Sequence, residues 1–216
     1  MQGVFKPVVL SRVCFFILVP AFFLSCIGAA SHITLNQDGS GSITLEFRVA
    51  LEFENMGKLD GNEKELPVPV GKMDLERSAA RVPGLRLLSY TSRQDGVDMV
   101  HRAELSFDSP EALSAFFDAD GFKVDLPGRR IVITFPGAEE TDPAFTNLLT
   151  GAFKGYDFSL SLSVPGSANT RWLDGSGKNV PSFPGTCSVT GKTVHYTVPM
   201  ADMVFLDSSL MLEISW

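Results

Sequence analysis

The 216-residue sequence predicts an α+β fold, in which an antiparallel sheet built from hairpins carries about three amphipathic helices on one face. Apolar and polar residues alternate on both sides of short Gly-containing turns at three places, a pattern typical of β-hairpins. Segments with helical apolar spacing follow these hairpins. The segment 157–164, DFSLSLSV, alternates strictly and predicts a half-buried strand. Successive strand–strand–helix units favour one sheet covered by helices on one face.

The first unit pairs residues 32–37 with 42–50 across an Asp-Gly turn. Residues 54–71 are polar and rich in Gly and Pro, so we expect a loop there. Residues 72–82 fit a short helix, which Pro83-Gly84 ends.

The second unit pairs residues 85–92 with 97–107. Its helix has Ser109 as the N-cap and Pro110 as the first helical residue, and Gly121 closes it. The apolar face of this helix contains Leu113, Phe116 and Phe117.

The third unit pairs residues 122–126 with 130–135, and its helix begins at Asp142-Pro143. Phe145 and Phe153 share the apolar face of that helix at spacings of three and four residues. Residues 165–185 are rich in Gly, Ser and Pro and predict a long loop.

Residues 194–198 and 209–216 then read as the closing strands. We therefore expect a single α+β domain over residues 32–216, a length that suits one full core.

The N-terminus reads as a bacterial export signal. Lys6 and Arg12 precede the apolar run Val13–Leu24, and the small residue Ser25 lies just before Cys26. The segment Phe23-Leu24-Ser25-Cys26 resembles a bacterial lipobox, which implies that the signal 1–25 is removed and that Cys26 carries lipid. Residues 26–31 are then the lipidated N-terminus and a short tether.

Two other interpretations of the N-terminus stay open. Cleavage after Ala29 or Ala30 would give a plainly secreted protein. The apolar stretch 13–30 also approaches the roughly 20 residues that a membrane-spanning helix needs, so it would serve as an uncleaved anchor.

The formal net charge of the chain is −7, and the predicted signal removes two basic residues and no acidic one. An acidic surface argues against a nucleic-acid partner and against docking on anionic lipid through a basic patch. Cys187 is the one cysteine left if the signal is removed and Cys26 is lipidated, so no disulfide is expected in that case.

Two motifs look like ligand sites but predict turns. Residues 36–41 resemble a calcium loop, yet the twelfth position that should be a glutamate is Phe47. Residues 185–193 resemble a phosphate loop, yet the glycine spacing is one residue too long and a strand-like segment follows. No metal or cofactor is expected at either.

No catalytic motif of the common serine or metal hydrolases occurs, so we expect no enzyme activity. The phenylalanines of the predicted helices are most simply core residues. They are also the candidates for lining a lipid pocket: Phe116, Phe117, Phe145 and Phe153.

Three segments carry a family resemblance. ITLNQDGSGSITLEFRV (33–49) directly after the lipobox-like cysteine, LSFDSPEALSAFF (105–117) and LSVPGS (162–167) resemble LppM-type bacterial lipoprotein domains. This resemblance implies a lipid-anchored α+β domain, with lipid or envelope glycolipid binding, and it brings no catalytic residues.

We therefore expect a membrane-anchored lipoprotein that faces the periplasm or the cell surface. Its domain would bind a lipid or an envelope protein without catalysis. Two alternatives stay open: a secreted or envelope enzyme without a recognisable motif, and an outer-membrane β-barrel component, which the alternation of the last strand would suit.

Overall fold

The computed structural model describes residues 27–51, 71–117, 121–138, 150 and 153–216. Strands dominate these residues, and the helices are short. The strands are β1 Ile27–Leu35, β2 Gly41–Ala50, β3 Leu85–Asp95, β4 Asp98–Phe107, β5 Phe122–Asp125, β6 Arg130–Phe135, β7 Asp157–Ser163, β8 Asn169–Asp174, β9 Thr186–Thr190, β10 Thr193–Pro199 and β11 Leu210–Ser215. The helices are α1 Lys72–Arg81, α2 Pro110–Phe116 and α3 Met200–Val204.

The described strands form two sheets rather than one. The larger has the order β3-β4-β2-β1-β7-β10-β9, and the smaller has the order β5-β6-β11-β8. All pairings are antiparallel except that of β1 with β7. The mixed and mostly antiparallel architecture is confirmed, whereas the prediction of a single sheet is wrong. Hairpin patterns specify neighbouring pairs, and they leave open how distant hairpins join.

The three predicted hairpins are present as β1–β2, β3–β4 and β5–β6. The predicted loop 165–185 is wrong in part, because it contains β8. The two adjacent buried residues Trp172 and Leu173 break the alternation that identifies a strand. The edge strand β9 also escaped prediction, since nearly all of its residues are exposed and it has no apolar face.

β1 begins at Ile27, so residues 27–31 belong to the sheet although the sequence suggests a tether there. They pair with residues 45–49 of β2, and residues 29–31 also pair with β7. A central strand is hydrogen-bonded on both sides, which allows the small residues Gly28, Ala29 and Ala30 to be strand although their apolar signal is weak.

Two predicted helices are present. α1 ends at Arg81, one residue before the expected end. α2 has the expected cap, since the Ala112 amide donates to Ser109 Oγ at 3.2 Å, but it ends at Phe116 rather than near Gly121. The helix expected from Asp142, with Phe145, lies outside the described residues apart from Thr150 and Phe153, which are both helical. The five-residue α3 is too short to show helical periodicity.

The inner faces of the two sheets meet in one apolar core. Aromatic rings join them: Phe135 of β6 lies 6.2 Å from Phe158 of β7, and Trp172 of β8 lies 4.9 Å from Tyr196 of β10. Phe183 stacks on Trp172 with a centroid distance of 4.3 Å. Burial of these large rings is a major part of the stabilising free energy.

Among the helices that the model describes, none has the length and apolar character needed to cross a membrane.

Candidate functional site

A cleft of about 620 Å3 opens where β7 begins and β10 ends. The described residues that line it are Thr150, Phe153, Lys154, Gly155, Tyr156, Asp157, Pro199 and Ala201. Phe153 is 1% exposed and forms an apolar wall, whereas Lys154 and Asp157 are exposed. An apolar interior with a few polar groups around it is typical of small-molecule sites.

A tight turn builds one side of this cleft. Gly155 has φ +85°, a left-handed conformation that favours glycine, and the Tyr156 amide donates to the Phe153 carbonyl at 3.1 Å. The Met200 amide donates to the Tyr156 carbonyl at 2.9 Å, which ties the turn to the start of α3. Two chain segments far apart in sequence therefore hold the cleft walls in place.

Tyr156 is fixed at its other end as well. Its hydroxyl donates to Asp98 Oδ1 at 2.9 Å, and Asp98 in turn lies 3.9 Å from an Arg48 nitrogen. Arg48 also bonds Asp95 at 3.1 Å. The phenol is thus a structural hydrogen-bond donor, and its ring is one wall of the cleft.

A second cleft of about 380 Å3 adjoins the first and shares Thr150 and Ala201 with it. Its other described lining residues are Pro184, Asp202, Phe205, Leu206 and Asp207. α3 therefore contributes to both clefts.

The described phenylalanines that were predicted to line a lipid pocket do not lie at one site. Phe153 lies at the first cleft. Phe116 and Phe117 lie at the end of α2, where Phe117 stacks on Phe122 at 5.1 Å, and neither lines a described cleft wall. Phe145 and Cys26 lie outside the described residues. The sequence did not single out Tyr156, Pro199 or Ala201, because a turn before a strand carries no periodic signal.

The first cleft and the start of β1 lie at the same end of the large sheet. The parallel register pairs Ala29 with Phe158. An added Cβ on Gly28 would lie 3.3 Å from Tyr156 Cδ1 and 3.5 Å from the Asp157 carbonyl. Tyr156 and Asp157 both line the cleft, so the first residues of β1 contact its wall.

The motif at residues 36–41 is a turn, as predicted, whereas the turn predicted over residues 185–193 is wrong for most of that segment, because residues 186–190 are the strand β9. Asp38 accepts hydrogen bonds from the Ser40 hydroxyl at 2.7 Å and the Ser40 amide at 3.0 Å, and these bonds lower the pKa of its carboxyl. Residues 185–193 form β9 and its hairpin turn to β10, with φ +62° at Gly191. Within the described ranges, no group of three or more His, Cys, Asp or Glu side chains is arranged to hold a metal.

Cys187 is a free, half-buried thiol on β9. Burial raises the pKa of this thiol, with weaker opposing contributions from Thr170 and Trp172. A raised pKa lowers the thiolate fraction at neutral pH and disfavours a nucleophilic role.

Comparison with solved structures finds several similar chains. No family model and no curated protein matches the sequence. The folded domain of the Mycobacterium tuberculosis LppM protein, solved by NMR, is similar in structure with a TM-score of 0.41 and 10% sequence identity. That similarity covers 89% of this chain and 91% of that one.

Proposed function

We propose that this protein is a lipid-anchored component of the bacterial cell envelope, attached through Cys26, and that its domain binds an apolar ligand of the membrane, such as an acyl lipid, in the first cleft. The contact between Gly28 and Tyr156 carries this proposal, because it brings the lipid attachment site and the cleft to one end of the domain. The domain then faces the periplasm or the cell surface.

The spacing along the chain supports this arrangement. Cys26 precedes Gly28 by two residues, and an extended chain spans at most about 3.6 Å per residue. The lipid-bearing residue therefore lies within about 7 Å of the strand position that contacts the cleft wall. Acyl chains on Cys26 would hold this end of the domain at the bilayer surface, so a lipid would reach the cleft without crossing water.

The start of β1 also favours cleavage before Cys26 over cleavage after Ala29 or Ala30. Residues 27–30 pair with Glu46–Val49 of β2, and Ala29 packs against the core. Removal of these residues would leave the backbone groups of two neighbouring strands without partners, which is costly for buried polar groups.

The cleft chemistry supports binding rather than catalysis. Its described polar side chains are Thr150, Lys154, Asp157 and the Tyr156 hydroxyl, which already donates to Asp98. The Tyr156 hydroxyl is held by the Asp98 carboxylate, which suits a structural role better than that of a reacting group. The negative charge of the chain supports the expectation that nucleic acid is not a partner.

Photo-cross-linking tests the binding proposal. The full chain is reconstituted in phosphatidylethanolamine and phosphatidylglycerol vesicles that contain a phospholipid with a photoactivatable acyl chain, and the cross-linked peptides are identified by mass spectrometry. We expect labels on residues 153–157 and 199–201. The variant Ala201→Trp, which fills the cleft, should lose most of this label.

Ala115→Trp is the matched control, because Ala115 is an exposed alanine on α2 away from the cleft. It should keep the label of the parent protein. Equal labelling of Ala201→Trp and Ala115→Trp, or labels spread evenly over the surface, would contradict the cleft as the binding site.

A further inference from the structure

We propose that His32 and His195 form a binding site for a divalent first-row transition-metal ion such as Zn2+, on the outward face of the large sheet and separate from the clefts. The two histidines are 163 positions apart in the sequence, and the pairing of β1, β7 and β10 brings them into one row. No sequence motif contains both histidines, so only the strand pairing reveals the row.

The register defines this row. Ser161 of β7 pairs with His32 on one side and with His195 on the other. Neighbouring strands are about 4.8 Å apart, so the Cα atoms of the two histidines are about 10 Å apart. An ion midway between the two histidines would lie about 5 Å from each Cα, measured along the sheet. Because a metal–nitrogen bond is about 2 Å long, each imidazole nitrogen has to reach about 3 Å toward the midpoint.

All three side chains point away from the core. Ile33, Leu162 and Val194 are fully buried next to them on the inward face, and successive residues of a strand point to opposite faces. Both histidines are exposed to solvent. Both imidazoles could therefore bind an ion located between them, and solvent would have access to that ion.

The residue between the histidines has a small side chain. Ser161 is small, and its hydroxyl oxygen is covered and has no hydrogen-bond partner. In the adjacent rows the hydroxyls pair with each other: Ser163 with Thr193 at 2.9 Å and Ser159 with Thr197 at 3.4 Å. The hydroxyl between the two imidazoles thus differs from its neighbours, because it pairs with no other hydroxyl.

The surroundings suit a metal ion bound by nitrogen. Thr44 flanks His32 and Ser188 flanks His195 in the same row, so no described cation lies in it. Glu46, one row away on the same face, is a nearby carboxylate, and it contacts Arg48 at 3.7 Å and Arg102 at 3.9 Å. Imidazole ligands suit zinc, copper and nickel, and solvent would complete the coordination.

Titration of the full chain in detergent with Zn2+, and with Co2+ for its visible spectrum, tests the site. His32→Ala and His195→Ala should each weaken binding about tenfold or more, because each removes one of two nitrogen ligands. Co2+ on the parent chain should show the bands of nitrogen and oxygen ligands, without the charge transfer that thiolates give.

A gain-of-function variant keeps the test informative if a histidine variant fails to fold. Ser161→Asp places a carboxylate between the two imidazoles and should tighten Zn2+ binding about tenfold or more. Ser163→Asp adds the same charge one row away, between Thr34 and Thr193, and should leave binding within about threefold of the parent value.

Two results would overturn the proposal. One is Zn2+ binding that is unchanged in both histidine variants, with or without thiolate bands from Co2+. The other is an equal gain from Ser161→Asp and Ser163→Asp, which would indicate a general effect of negative charge rather than a site between His32 and His195.

Discussion

Gly28 of β1 lies directly against the ring of Tyr156, with 3.3 Å between the position of a Cβ on Gly28 and Tyr156 Cδ1. The hydroxyl of Tyr156 donates a hydrogen bond to Asp98, at the start of β4, at 2.9 Å. One tyrosine thus connects the start of the first strand, the cleft turn and a third strand. A glycine at position 28 leaves the space that the ring occupies.

A side chain at position 28 should therefore disturb both stability and the cleft. Gly28→Val should cost about 1–3 kcal/mol of unfolding free energy, because the added methyl groups displace the Tyr156 ring. Ala30→Val is the control, since Ala30 is exposed on the same face of the same strand, and its effect should stay within about 0.5 kcal/mol. Urea denaturation measures both, and equal stability of the two variants would contradict the role of Gly28.

Substitutions on the two faces of the strand β7 should differ strongly in their effect on stability. Leu160 is 5% exposed and packs in the core, so Leu160→Ala should cost about 2–5 kcal/mol and Leu160→Asp should prevent folding. Ser161→Asp should cost far less than Leu160→Asp, about 1 kcal/mol or less, because the Ser161 side chain lies on the outward face although its hydroxyl oxygen is covered. Damage from Ser161→Asp equal to that of Leu160→Asp would refute the orientation of β7.

Tyr196 should make stability depend on alkaline pH. Its side chain is 1% exposed, its hydroxyl donates to the Pro184 carbonyl at 2.9 Å, and burial raises its pKa. An unfolded tyrosine has a pKa of about 10, so this contribution is complete below that pH and is lost as pH rises above it.

Tyr196→Phe should cost about 1 kcal/mol at pH 7, from the lost hydrogen bond, and should reduce the loss of stability above pH 10. Urea denaturation between pH 8 and about pH 11 measures this dependence. If the unfolding free energy of Tyr196→Phe falls as steeply above about pH 10 as that of the parent chain, groups other than Tyr196 cause the alkaline loss of stability.

Local patterns in the sequence predicted the hairpins and the starts of α1 and α2 well, and the joining of distant elements poorly. The Asp38-Gly39 turn and the Ser109 cap depend on residues a few positions apart, and both are present. The parallel pairing of β1 with β7 depends on residues about 130 positions apart, and alternation carries no information on it. The clefts and the histidine row both result from such distant pairings.

At the candidate site, too, local patterns were predicted from the sequence and contacts between distant elements were not. Phe153 was selected by helical spacing and lies at the first cleft. Tyr156 and Ala201 were missed, because the turn at Gly155 and the short helix α3 have no periodic pattern. Phe116 and Phe117 were selected by the same kind of spacing as Phe153, but Phe116 packs against Phe117, and Phe117 stacks on Phe122. Spacing identifies an apolar face, and only the tertiary arrangement decides what that face covers.

Metabolic labelling with a fatty acid tests whether Cys26 carries the lipid that would hold the cleft end of the domain at the membrane. The full chain is expressed in bacteria with a clickable palmitate analogue, together with Cys26→Ala and the control Cys187→Ala. We expect label and membrane association in the parent chain and in Cys187→Ala, and neither label nor cleavage before position 26 in Cys26→Ala. Label that persists in Cys26→Ala, or that is absent from the parent chain, would contradict lipid attachment at Cys26.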